Sequence, residues 1–540
     1  MENRDYDVVI IGTGMGALTT ASLLAQFTDK KVLMLEQHFK AGGFTHTFKR
    51  EGKFLWDVGI HYVGDMHPES SLRKIFDIVT GGKVQWNPMP EVFEKFVFPD
   101  FTFSVRKKEE NYKSDLIALF PEESSSIEGY FEDVKKIASW QGRHMLLKGL
   151  PPFLDSNTKS INLAGSESLQ ITTKEYLDKN FQSEKLKAIL ASQWGDYGLP
   201  PSLSSFLIHA MVVAHYLNGG YYPEGGSGVI ADSVKKILES KGGKILISRE
   251  VQEILVENGT AVGVRVKNKI QSNKTGKDVL ETYFCKKVIS NAGAYNTYTR
   301  LLPKSLNLSF QDSLQNFNSN YPKISNVTLY IGLKEDPRNK GFYGENHWIY
   351  ANLDHEKNFS GMDWTETGKL PGAYLSFPSL KDSHPEGHTA EVIAFCEYDY
   401  FTKCKDQTWK ERDEDYQKKK VQITQMLLKF IEERYPGFIS MIEFAELATP
   451  VTTEYFTNHH KGTIYGMPCV PERFLESKSP WFNTLTPIKN LFLTGADASS
   501  PGVSGAMMGG VIAFTNSSDG VSMLKVIKEV STKKTNEAKE

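Results

Sequence analysis

Residues 6–17 read YDVVIIGTGMGA, and the fold of the chain follows from them. Val8-Val9-Ile10-Ile11 is a short β-branched run, as expected of a parallel strand buried on both faces. It leads straight into Gly12-Thr13-Gly14-Met15-Gly16-Ala17, which fits G-x-G-x-x-A, and then into a helical run, LTTASLLAQF. That run carries apolar or small side chains at Leu18, Ala21, Leu24 and Ala25. Gly12 suits the tight turn, Gly14 lets the backbone approach a pyrophosphate, and Ala17 lets the helix lie close to the strand. The first helical turn, which includes Gly16, then offers free N–H groups and a positive dipole end to the phosphates. A second strand, Lys31–Leu35, ends in Glu36, 19 residues beyond Ala17. An acidic residue at that distance takes the hydroxyls of an adenosine ribose. The chain opens with a dinucleotide-binding βαβ unit.

Outward from this unit, 540 residues are enough for two or three domains around a large core. Lys+Arg of 63 against Asp+Glu of 65 leaves no net field to attract nucleic acid. Cys285, Cys396, Cys404 and Cys469 form no C-x-x-C pair and no metal-ligand spacing, so no metal site is expected. They read as buried thiols in a reducing, cytoplasmic compartment. The few residues before the first strand leave no room for a signal peptide, and 531–540 read as a disordered polar tail.

No stretch has the 18 uninterrupted apolar residues of a membrane span. Tyr197 to Pro223, however, contains no Asp, Glu, Lys or Arg, and its middle reads FLIHAMVVAHYL. A helix apolar on every side is a buried helix; it can also line a greasy tunnel or lie against a bilayer. His209 and His215 are six apart and fall on different helix faces, which favours core histidines over metal ligands.

Ala41-Gly42-Gly43 follows Glu36 closely and would let the backbone run against the same ligand. Phe54 to Gly64 starts as an apolar strand and ends in a glycine-flanked loop carrying Asp57, His61 and Tyr62. From Pro99 to Gly219 the pattern is mostly helical, with breaks at Pro121, Pro151-Pro152 and Pro200-Pro201. Gly226 to Ala231 also fits G-x-G-x-x-A, but no apolar strand precedes it, so it reads as a plain helix start. The helix VIADSVKKILES is closed by Gly242-Gly243, and strands follow at KILIS, Val251–Val256 and Ala261–Val266, with a turn at Asn258-Gly259. KILIS and the strand Lys287–Ser290 would extend the first sheet across more than 200 intervening residues. Further strands are expected at Asn326–Leu333 and Ala390–Cys396, and a charged helix over Glu411–Arg434. Leu491-Phe492-Leu493 leads into Gly495-Ala496-Asp497 and a second glycine-lined helix start at Ala506.

These pieces together resemble the flavoprotein superfamily of phytoene desaturases, carotenoid isomerases and retinol saturases, over nearly the whole chain. GTGMGA with Glu36, the Gly42-Gly43 pair, GGYYPEGG at 219–226, ATP at 448–450 with YG at 465–466, and LTGAD…GVSGAMMGG at 493–510 carry the resemblance. DVGIHYVG at 57–64 is similar to the retinol saturase branch. The resemblance implies an α/β fold: a Rossmann-type FAD-binding domain with an inserted α+β substrate-binding domain, as in amine oxidases and GDP-dissociation inhibitors. The division would be 1–98, 220–300 and 445–530 for FAD against 99–219 and 301–444 for substrate. It also implies FAD with its pyrophosphate over Gly12, Gly14, Gly16 and Ala17 and its ribose at Glu36. Gly42, Gly43, Asp57 and Gly59 would approach the cofactor, and Val251 would meet the adenine. Gly495 and Asp497 would lie by the ribityl and pyrophosphate, and Gly505, Ala506 and Met507 by the isoalloxazine.

The implied substrate is a long apolar polyene, with NAD(P) as an external electron donor or acceptor and a peripheral membrane contact. Saturating a C=C bond needs a proton donor; His61 and Tyr62 are first candidates, with Tyr222 and Glu224 behind them. A desaturase or isomerase would carry the same motifs. A lipid-binding escort protein of the same fold, without redox chemistry, is disfavoured by the intact Gly12/Gly14/Ala17/Glu36 set.

Overall fold

The computed structural model describes residues 6–148, 170–475 and 477–528. Pro151-Pro152 and the tail at 531–540 lie outside them.

The VVII run is strand β1 (Val8–Ile11), completely buried and central in its sheet. Its alternation feeds two cores. Val8 and Ile10 pack with Leu18, Ala21 and Leu24 of helix α1 (Met15–Phe27), while Val9 and Ile11 pack toward Val251 and Ile254 on the other face. Burial of each such side chain contributes roughly 1.5–3 kcal/mol. β1 is flanked by β2 (Val32–Leu35), then β3 (Lys244–Leu246) on one side, and by β4 (Lys287–Ser290), then β5 (Leu491–Leu493) on the other. Every pairing is parallel. Four distant stretches of chain therefore complete one Rossmann-type sheet; KILIS and Lys287–Ser290 join it as expected, and Leu491–Leu493 adds an edge strand that the sequence had not assigned to it.

Helix α2 (Gly502–Ser517) lies across α1, and its glycines explain how closely. A Cβ at Gly510 would sit 2.5 Å from the Gly16 carbonyl oxygen, and one at Gly509 2.3 Å from that of Gly495. Thr20 donates its hydroxyl across the crossing to the Gly510 carbonyl (3.1 Å).

Residues Arg249–Glu257 and Thr260–Asn268 form an antiparallel hairpin. Its turn holds Asn258 and Gly259 at φ of 48° and 72°, as a tight Asn-Gly turn requires.

A seven-stranded sheet makes the second layer system. Its order is Ile442–Ala448, Ser325–Leu333, His388–Cys396, Gly372–Ser376, Asn346–Tyr350, Val92–Val97 and Thr102–Arg106. The expected strands at 326–333 and 390–396 are its second and third strands, and the charged helix runs from Glu414 to Arg434. Two points differ from expectation. Thr102–Arg106 is a strand inside the stretch read as mostly helical, because its short T-F-S-V-R alternation buries Phe103 and Val105. Val92–Val97, on the cofactor side of the expected boundary at 98, pairs with it in the large sheet.

Candidate functional site

A single cavity of about 1360 Å³ joins the first sheet to the large one. At one side the glycine loop forms its wall. Gly12 has φ of 88°, which only glycine adopts without strain. A Cβ at Gly14 would come 2.6 Å from the Asn291 amide nitrogen, and one at Gly43 2.9 Å from Gly14 Cα, so these glycines let the two loops pack closely where they wall the cavity. Glu36 ties these loops together. It accepts hydrogen bonds from the Thr13 N–H (3.0 Å), the Thr13 hydroxyl (2.5 Å) and the His38 N–H (2.8 Å). The same Thr13 hydroxyl accepts from the Gly42 N–H (2.9 Å). Burial holds the Glu36 carboxyl above its ordinary range, and these donors offset only part of that rise.

Gly12, Gly14, Gly16, Glu36, Gly43, Gly59, Val251, Gly495, Asp497, Gly505 and Ala506 all line the cavity. Gly495 has φ of 90°, and Asp497 is fixed by the N–H groups of Ala294 (2.9 Å) and Met467 (3.2 Å). The loop before α2 aims that helix's N-terminal end at the same space. Ala17, Gly42 and Met507 stand behind the wall; Ala17 and Met507 are fully buried between helices.

Asp57 and two of the expected proton donors are not at the cavity. Asp57 is fully buried, and its carboxylate accepts from the Tyr222 hydroxyl and the Ser227 N–H (2.7 Å). It anchors one strand to a helix start and has no face toward a ligand. Tyr222 is turned away because its strand, Gly220–Pro223, pairs with Trp86–Pro88 and Val63–Gly64, and alternation aims it at Asp57. Glu224 is half-exposed, 3.8 Å from His384 near the surface.

His61 and Tyr62 do line the cavity. His61 Nδ1 lies 2.8 Å from Glu391 Oε2, out of line for a straight hydrogen bond. The buried Lys381 ammonium donates to the His61 carbonyl (2.8 Å), and burial pulls its pKa down to about 7. Tyr62 stacks flat on Tyr216, ring centroids 4.2 Å apart, and its hydroxyl lies between two carboxyl groups, Glu94 and Asp196. Sequence reading missed both acids. Glu94 is fully buried in V-F-E-K-F-V; Asp196 lines the cavity as the last charged residue before the uncharged stretch.

That uncharged stretch supplies helix Phe206–Tyr216, which is at once core and tunnel wall. Phe206, Leu207, Ala210 and Val213 are buried in the core, while Ile208, Met211, Val212 and Tyr216 line the cavity. Trp348, Tyr350, Met362, Tyr374, Ile393 and Phe395 continue that apolar lining. His209 is a satisfied core residue, with Nε2 2.7 Å from the Tyr130 hydroxyl and Nδ1 3.2 Å from that of Tyr197. His215 Nε2 accepts from the Gly64 N–H (2.8 Å). All four cysteines are buried. Among the described residues no group of three or more metal-ligating side chains converges, and no helix is long and apolar enough to cross a membrane.

Comparison with known proteins agrees with this geometry. Residues 10–79 match the family model of an NAD(P)-binding Rossmann-like domain. An all-trans-retinol 13,14-reductase of Danio rerio is 33% identical, over 94% of this chain and 85% of the relative. A chloroplastic prolycopene isomerase of Daucus carota is 28% identical over 93% of this chain and 77% of its own. Cyclohexylamine oxidase from Brevibacterium oxydans shares the fold, with a TM-score of 0.58 at 14% identity over 95% of this chain and 98% of the other. With its glycine loop, apolar cavity and likeness to a retinol reductase over 94% of its length, this chain is an oxidoreductase of the all-trans-retinol 13,14-reductase family, within the phytoene desaturase and carotenoid isomerase superfamily.

Proposed function

We propose that the protein is an FAD-dependent reductase of C=C bonds in a long polyene lipid, retinoid- or carotenoid-like. The observation that carries this reading is the continuity of one cavity, from the glycine loop and Glu36 to a lining of aromatic and aliphatic side chains. The residues fit FAD: the backbone of Gly12, Gly14 and Gly16 lines the cavity at the start of α1, where a pyrophosphate would bind, and Glu36 would meet the ribose. Val251 would meet the adenine, Asp497 the ribityl side, and Gly59, Gly505 and Ala506 the ring. Reduced flavin, when bound, supplies a hydride.

The chain's own residues do the rest. The polyene has almost no polar handles, so affinity rests on apolar burial at roughly 25 cal/mol per Å². Trp348, Met211, Val212 and Ile393 provide that surface and exclude water. Tyr62, stacked on Tyr216, offers a hydrogen-bonded hydroxyl beside it.

External electrons would come from a phosphate-bearing donor such as NAD(P)H. Arg412 lines the cavity with Lys410 and Lys420; it is buried, hydrogen-bonded to Tyr416, Thr452 and Val451, and forms no ion pair among the described residues. A substrate so poorly soluble in water also argues for a peripheral membrane contact, measurable by flotation with liposomes.

The test is anaerobic incubation of pre-reduced protein with a panel of polyenes, followed by mass analysis. A gain of two hydrogens supports the reductase. An unchanged mass with altered chromatographic mobility would instead support the isomerase reading that the prolycopene isomerase relative favours. A colourless protein that takes up no flavin would overturn both.

A further inference from the structure

Resting on that reductase reading, we propose that Asp196 is the proton donor of the reaction and that Tyr62 couples it to Glu94. A count of protons around one hydroxyl carries the argument. The Tyr62 oxygen lies 2.5 Å from Glu94 Oε1 and 3.0 Å from Asp196 Oδ2. Tyrosine has a single hydroxyl hydrogen, so it satisfies one carboxylate and not two. The second contact is attractive only when that acid carries its own proton and donates to the Tyr62 oxygen.

The surroundings decide which acid is which. Glu94 accepts from three donors: the Tyr62 hydroxyl, the Trp348 indole N–H (2.9 Å) and the Gln193 amide (2.7 Å). Hydrogen bonds given to a carboxylate favour its charged form. Asp196 has Tyr62 as its one side-chain partner among the described residues and stands beside the Glu94 charge. Burial and that charge both push the Asp196 carboxyl well above the ordinary range; burial raises Glu94 as well, but its three donors limit the rise to about 7, so Glu94 gives up its proton first. The other titratable groups around Asp196 are the tyrosines Tyr197, Tyr216, Tyr350, Tyr374 and Tyr465, none of which supplies a positive charge at neutral pH. Two neighbouring acids with divided titration are the usual way one site keeps a neutral acid at neutral pH.

Position agrees with chemistry. Asp196 follows Gly195, where a Cβ would come 2.2 Å from the Trp348 ring, so the backbone lies directly against the aromatic wall. The Tyr465 hydroxyl donates to the Gly195 carbonyl and fixes that approach. Asp196, Tyr62 and Tyr216 share the cavity surface, which brings the acid beside any polyene lying on the Tyr62–Tyr216 stack.

The step balances. One carbon of the double bond receives a hydride from reduced flavin, its neighbour receives the Asp196 proton, the π bond is lost and two C–H bonds form. Asp196 is left a carboxylate beside Glu94, and their repulsion draws a proton back before the next turnover. Two electrons per turnover are restored to the flavin by a reduced dinucleotide, or by dithionite in the test.

The experiment uses Asp196→Asn and Asp196→Glu in full-length holoprotein reduced by dithionite, in single turnover with the polyene the wild type reduces. Asp196→Asn should slow saturation by about 10²–10⁴-fold, the usual worth of a general acid, with flavin content and polyene binding retained. Asp196→Glu should recover part of the rate. The wild-type rate should fall as pH rises through the titration of this acid, and that limb should vanish in Asp196→Asn.

Infrared spectroscopy gives a readout independent of turnover: a neutral-carboxyl C=O band at neutral pH that Asp196→Asn abolishes. Near-normal turnover in Asp196→Asn, an unmoved alkaline limb, or no such band would each overturn the assignment. So would a hundredfold loss in His61→Gln beside a fast Asp196→Asn enzyme. If the wild type saturates no polyene, the reductase reading fails by itself, and the infrared arm still judges the protonation of Asp196.

Discussion

Gly16 shows how sharply one methyl group can be read. Replacing it by Ala places a Cβ 2.4 Å from both Gly495 Cα and Gly495 N, and 3.0 Å from the Ala506 carbonyl oxygen. Ordinary contact begins near 3.4 Å, so backbone must retreat by about 1 Å, and no flexible side chain is there to absorb the move. The displaced groups belong to the loop and helix start that line the cavity. Overpacking of this kind costs roughly 1–3 kcal/mol, and rigid backbone puts this case at the upper end. The same chemical change at Gly129, exposed in helix Ser124–Lys148 with nothing within 4 Å of its Cβ, should instead stabilise by about 0.5–1 kcal/mol. Urea unfolding of both variants, with flavin content measured alongside, tests the opposed signs. Gly16→Ala protein with wild-type stability and full flavin would refute the claim that this crossing is closed to a methyl group.

Glu36→Ala removes the acceptor for two Thr13 groups and the His38 N–H, and should weaken FAD binding by roughly 10–100-fold in calorimetry of the apoprotein. Tyr222→Phe leaves the buried Asp57 carboxylate short of one donor; it should lower unfolding stability by about 1–3 kcal/mol while turnover stays within about twofold, and a large loss of rate would return Tyr222 to the site. Burial pulls the pKa of His38 and His209 down to about 3 and that of His355 to about 4. Below about pH 6.5 the unfolded chain therefore takes up protons that the native state refuses, so stability should fall as pH drops from about 6.5 toward 4 and be unaffected by these groups above it. Urea midpoints at pH 7.5 and 5 check this, and His209→Gln should flatten the acid limb.

The cofactor half was legible because its signals are local. A β-branched run, glycines at fixed offsets and an acid at the end of the next strand need no knowledge of the rest of the chain, and β1, α1 and β2 stand where those signals put them. The cluster around Tyr62 resisted because its parts are remote: Tyr62 meets acids 32 and 134 residues away. Nothing in V-F-E-K-F-V distinguishes Glu94 from the lysine beside it until Val92–Val97 is paired and its inward face known. Tyr222 and Glu224 misled through motif proximity: the GGYYPEGG stretch touches the site's frame, but strand alternation turns Tyr222 onto Asp57 and sends Glu224 toward the surface. The helix Phe206–Tyr216 carried its information as an absence of charge, which told of an apolar environment but not that one side of the helix faces a cavity.

The split of the first sheet has a consequence for how the protein is made. β1 emerges early, yet its neighbour β4 follows about 280 residues later, and β5 with the helix that closes over it comes roughly 480 residues later. At translation rates of about 5–20 residues per second, that leaves an uncovered, wholly apolar strand edge for on the order of a minute. Such an edge recruits other chains unless something holds it. Yield of soluble protein should therefore depend on holding chaperones and on slow, cool expression more than on the stability of the finished fold.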